Sequence, residues 1–112
     1  MMRVVLLFVT ATLTLFSAHT MAAGDAVAGQ QKSAPCAACH GPDGNSTDPQ
    51  FPRLSGQYAD YIVHALEQYK SGDWKNPIMA GFAANLTAQD RADLAAFYAS
   101  QKGGLHVIGH RP

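Results

Sequence analysis

The stretch Ser33-Ala34-Pro35-Cys36-Ala37-Ala38-Cys39-His40-Gly41 holds the only two cysteines of a 112-residue chain, spaced by two alanines and followed at once by a histidine. What two thiols and an imidazole can do together depends on the compartment in which the chain resides. Upstream, Arg3 precedes an uncharged run from Val4 to Phe16, and small and polar residues lead on to Met21-Ala22-Ala23. A positive start, an apolar centre and a small-residue exit form the layout of a secretory leader, expected over residues 1–23 with cleavage after Ala22 or Ala23. The apolar run is shorter than the roughly 20 residues of a membrane-crossing helix. An uncleaved anchor is the competing reading.

Export leaves three chemistries open for the cysteine pair. A Cys36–Cys39 disulfide would close a very short loop and gain least from loop entropy. Redox-active pairs of that kind sit at a strand-to-helix junction, and no β-rich run precedes Cys36. Zinc needs four ligands, commonly from a second close pair, and His64, His106 and His110 are not so arranged. Cys-x-x-Cys-His is the attachment sequence of c-type haem. On one helical turn, positions three and four apart share a face, so two thioether anchors and an axial imidazole converge on one porphyrin. The expected cofactor is a single covalently attached haem c, anchored at Cys36 and Cys39 with His40 on the iron. A chain of about 90 residues after the leader builds only a marginal core alone, and a large apolar cofactor would complete it.

Met1, Met2 and Met21 leave with the leader, so Met79 is the one methionine left to face His40 across the iron. It lies in Asn76-Pro77-Ile78-Met79-Ala80-Gly81-Phe82, expected to be a shaped loop between two helices, with Pro77 restricting the backbone and Gly81 permitting close approach. His64 belongs to a helical pattern as an exposed or edge residue. His106 and His110 stand in a Gly-rich tail and would replace Met79 only if that tail folds back. Thioether sulfur opposite imidazole raises the reduction potential. With both axial positions filled, no site is left open for oxygen or substrate.

The rest of the chain reads as helices and loops. Residues 25–33 form a short first helix with Asp25 at its start, and Gly41 to Leu54 is a long Gly-, Pro- and Asp-rich loop. Residues 56–71 carry Tyr58, Ile62, Ala65, Leu66 and Tyr69 at spacings of three and four, a stripe for the core that Gly72 ends. Residues 73–86 form the methionine loop, including Trp74. Thr87 with Asp90 opens the last helix in a variant of the capping box; Leu94, Phe97 and Tyr98 give its buried side, and Gly103-Gly104 ends it. No strand-period segment appears, so the fold class is all-α. Eight Lys and Arg balance eight Asp and Glu. Without Arg3 the net formal charge is −1, and no basic stripe suits a nucleic acid.

The CAACH stretch, the single later methionine and the closing amphipathic helix together resemble a class I cytochrome c. The similarity is to the short bacterial single-haem type and to one domain of the tandem diheme members. It rests on AGQQKSAPCAACHGPDGNS, FPRLSGQYADYIVHALEQYKSG, NPIMAGFAANLT and DLAAFYASQ. The resemblance implies three to four helices wrapped around one haem over residues 24–102, with 103–112 as a tail that the compact family core does not require. It also implies that the Pro52 carbonyl orients the His40 ring, that Gly29 meets Phe97 or Tyr98 where the first and last helices cross, and that Arg53 and Trp74 contact the haem propionates. The expected function is an exported, periplasmic one-electron carrier and not an enzyme. A quinol-oxidising complex or dehydrogenase would be its donor, and an oxidase or reductase its acceptor. Membrane complexes would be met only transiently. A dedicated electron-entry subunit of one redox enzyme, docked through the tail, and a gas-binding haem sensor are the alternatives.

Overall fold

The computed structural model describes residues 23–103. The leader reading, apart from Ala23, lies outside the described residues, as does the tail beyond Gly103 with His106 and His110. The described residues contain five helices: α1 (Ala26–Lys32), α2 (Ala34–His40), α3 (Ala59–Ser71), α4 (Pro77–Ala83) and α5 (Ala88–Ser100). No strand occurs among them. No helix there is long and apolar enough to cross a membrane.

The helix ends follow from local chemistry. Asp25 caps α1 by accepting from the N–H groups of Val27 and Ala28 at 2.8 and 2.9 Å. Thr87 and Asp90 close the expected capping box on α5, each side chain accepting from the other's backbone N–H. Helix α3 stops at Gly72, whose φ of 81° is left-handed. Helix α5 already ends at Ser100, ahead of Gly103.

Two short helices beyond the first lift the count above three or four. One is α2, which carries the CAACH turn. The other, α4, lies within the segment expected to be a loop. Asn76 accepts from the N–H groups of Ile78 and Met79 at 3.1 Å each, and Pro77 sits in the first turn. At that position its missing donor is harmless and its fixed φ favours the helix. Pro77 therefore starts a helix instead of interrupting one, and Met79 projects from a regular turn.

The core gathers Ile62 of α3 with Leu94, Ala95, Phe97 and Tyr98 of α5, and Cys36, Leu54, Leu66 and Leu86 pack against it. Helices α1 and α5 cross at Gly29. A side chain there would strike the Asp93 carbonyl oxygen and come within 2.7 Å of the Phe97 Cβ. Glycine inside a helix costs roughly 1 kcal/mol against alanine, and the close approach it permits offsets that. Of the two aromatic partners expected, the structure places Phe97 at the crossing.

Beside it lies a polar joint. Asp93 is 3 % exposed, yet all its charge is matched. The Asp25 N–H and the Gln89 amide donate to Oδ1 at 2.8 Å each, and the Lys32 ammonium donates to Oδ2 at 2.6 Å. Lys32 also reaches Asp90 at 2.8 Å. Lys32 first, then the Asp25 N–H and Gln89, hold the Asp93 carboxyl down at about 2. An aspartate titrates near 3.9 in an unfolded chain. A carboxyl lowered by folding stabilises the fold above its unfolded value and loses that contribution as the pH falls through its folded one. Native stability should therefore decline between about pH 4 and about pH 2. Denaturant midpoints over that range should show a shallower decline for Asp93→Asn than for the native chain; equal slopes would remove this joint from the acid response.

Candidate functional site

Helices α2, α3, α4 and α5 and the loop from Gly41 to Tyr58 enclose one large cleft of about 560 Å³. That lies within the ~300–1,000 Å³ of typical cofactor and ligand sites. Cys36, Cys39, His40, Pro52, Arg53, Trp74 and Met79 all border it. Residues far apart in sequence thus share one cavity, because α2 presents the first three from one side and α4 presents Met79 from another.

The two cysteines are free thiols and both are half-buried. Burial pushes the Cys36 thiol up from its ordinary pKa. His40 is buried, with its Nδ1 at 2.8 Å from the Pro52 carbonyl oxygen. A carbonyl only accepts, so Nδ1 carries the proton and Nε2 keeps a free lone pair. Such a bond fixes the ring and increases its basicity toward a metal. Phe51 adds an edge-on contact to the same ring, with centroids 6.4 Å apart.

Arg53 borders the cleft while its Nε donates to the Ser46 carbonyl at 3.0 Å. Trp74 is braced on three sides, by Tyr69 at 5.3 Å, by His64 at 5.8 Å and by Tyr61 at 6.4 Å between ring centroids. His64 is exposed and does not border the cleft. The α3 stripe serves this cavity more than a protein core: Ile62 is buried, while Ala65, Leu66 and Tyr69 line the wall. Tyr58 stands 60 % exposed.

Sequence reasoning missed Phe51, the Asn76 cap and the apolar rim of Ile78 and Phe82. Asn76-Pro77 was a readable signal, a capping side chain followed by proline at the first helical position. Phe51 carried none, because its contact with His40 depends on how the loop returns.

This donor set fits an iron porphyrin. It offers two free thiols on one turn, an imidazole with its lone pair oriented, a soft thioether and a largely apolar wall. Among the described residues, no three His, Cys, Asp or Glu side chains gather into a cluster that would hold a bare metal ion.

Known proteins give the arrangement a family. The chain is 48 % identical to cytochrome c4 of Pseudomonas aeruginosa, over 86 % of its own length and 48 % of that relative's. With cytochrome c-554(548) of Halomonas halodenitrificans it shares 42 % identity over 71 % of its length, and it covers that protein completely. The crystal structure of reduced recombinant cytochrome c4 from Pseudomonas stutzeri superposes with a TM-score of 0.70 at 44 % identity, over 74 % of this chain and 48 % of that one. The chain thus spans about half the length of the cytochromes c4 and the whole of a shorter relative. A family model described as Cytochrome c matches residues 22–102. That match takes in all five helices and every residue bordering the cleft, and the chain belongs to the cytochrome c family.

Proposed function

We propose that this chain is an exported one-electron carrier with one covalently attached haem c, bonded through Cys36 and Cys39 and held between His40 Nε2 and the Met79 thioether. When bound, the haem supplies a centre that accepts and releases one electron. The protein's residues do the rest. Pro52 keeps the proton on His40 Nδ1, so that Nε2 points its lone pair at the iron site. Asn76 fixes the first turn of α4 and with it the approach of Met79. With His40 and Met79 as its ligands the iron would have no position open to small molecules, and the thioether would raise its potential. Leu66, Tyr69, Leu94 and Tyr98 exclude water from the wall. Arg53 and Trp74, which border the cleft, would contact the propionates.

The observation that carries this reading is the convergence of both thiols, the oriented His40 and Met79 on one apolar cleft. Residues 1–23 are the leader that sends the chain to the periplasm, residues 24–102 the haem domain and residues 103–112 a tail. A quinol-oxidising complex or dehydrogenase delivers the electron, and an oxidase or reductase takes it. Tyr61, Ile78 and Phe82 leave apolar surface exposed at the cleft's edge. With so little net charge, brief contacts with these partners rest on that surface more than on charge steering.

The test is a visible spectrum of the exported protein, oxidised and reduced. A low-spin haem that stays with the polypeptide in acid–acetone, and whose reduced form ignores carbon monoxide at neutral pH, is the expected result. A colourless protein would overturn the reading, and rapid carbon monoxide binding would make it a ligand-binding haem protein instead.

A further inference from the structure

One buried polar group in the cleft is left over by everything described so far. Tyr98 is 2 % exposed and borders the cleft, yet its hydroxyl has no hydrogen-bond partner among the described residues. A buried hydroxyl without a partner costs about 1–3 kcal/mol. Packing alone would be served as well by phenylalanine, which the chain uses one position earlier. The ring itself is held firmly. It lies 4.9 Å from the Phe97 ring, and the backbone of Gly44 passes so close that a Cβ there would come within 2.8 Å of Tyr98 Cδ1.

The two groups whose fields act on the hydroxyl are Ser33 and Cys36, and neither stands in hydrogen-bond geometry to it. Ser33 is itself buried and donates its own proton to the Gln30 carbonyl at 2.8 Å. Cys36 is half-buried and packs against the core cluster that contains Tyr98. A thiol is both a weak donor and a weak acceptor. When it adds across a vinyl group of the cofactor, a carbon–sulfur bond forms, the double bond becomes single and the thiol proton passes to the neighbouring carbon. The sulfur then accepts only, and Tyr98 has a proton to offer.

We propose that Tyr98 is a positioning residue whose hydroxyl donates a hydrogen bond to the Cys36 sulfur in the haem-bearing protein. The bond holds that sulfur in one rotamer and draws electron density from it. The idea rests on the haem reading given above, and its test separates the two. The holoprotein is compared with Tyr98→Phe, which keeps the ring and loses the hydroxyl. Both are expected to show the same haem absorbance, with a lower thermal midpoint and a lower reduction potential in the variant. In the ferrous native protein, proton NMR is expected to show a slowly exchanging Tyr98 hydroxyl close to the Cys36 β protons, a measurement independent of how the variant folds. A variant that carries haem with its midpoint unchanged or raised, or a hydroxyl proton close to Ser33 instead, would overturn the proposal alone. A native protein without haem would overturn both.

Discussion

Met79→Ala is expected to keep its haem and lose its potential. The two cysteines still anchor the group, since neither lies on α4, but the alanine methyl cannot reach iron. The thioether's preference for the reduced state goes with it. The fall is on the order of 100 mV or more, a fraction of the roughly 0.8 V that axial ligation spans. Reduced Met79→Ala should also bind carbon monoxide, which the native protein is expected to ignore. Met79 is only half-buried and α4 keeps its Asn76 cap, so the fold should survive the change. Redox titration and a carbon monoxide difference spectrum read the two effects. An unaltered potential would take Met79 off the iron.

Removing the thiols strikes earlier, at assembly. Cys36→Ala or Cys39→Ala leaves a single anchor, and the double variant leaves none, so acid–acetone should extract the haem completely from any double variant that accumulates. The domain should weaken with it. Without haem the cleft loses the large apolar group that completes a core which so short a chain builds only marginally. Native proteins hold only about 5–15 kcal/mol in total. The double variant should therefore be poorly recovered from export and, if isolated, should unfold well below the native protein's midpoint. Haem that remained with the polypeptide through extraction would refute the attachment.

Much of this was legible in the sequence wherever the cause is local. The CAACH turn needs five consecutive residues, the Thr87–Asp90 box four, and the α3 stripe one repeating interval. Each can be read without knowing the rest of the fold. Helix α4 shows local reading going astray: Pro77 and Gly81 both suggest a loop, and only Asn76 in front of them tips the balance. The Asp93 joint was hidden for another reason. Nothing around Asp93 distinguishes it from a surface acid until α1 lies across α5 and delivers Lys32 and the Asp25 N–H. Sequence puts Tyr98 on the buried side of α5, but it does not say which polar atoms go unpaired.

The crossing of the first and last helices also governs when the domain can close. The Asp25–Asp93 bond joins positions 68 residues apart, and drawing such a loop together costs about 4 kcal/mol of chain entropy before any contact repays it. Until α5 has been synthesised and has emerged, Gly29 has nothing to lie against and α1 cannot dock. A polypeptide passing a translocation channel from its amino end therefore presents Cys36 and Cys39 in an open chain for most of its passage. Exported as proposed, a chain of this topology would leave both thiols open to haem attachment and would shut only once its final helix had arrived.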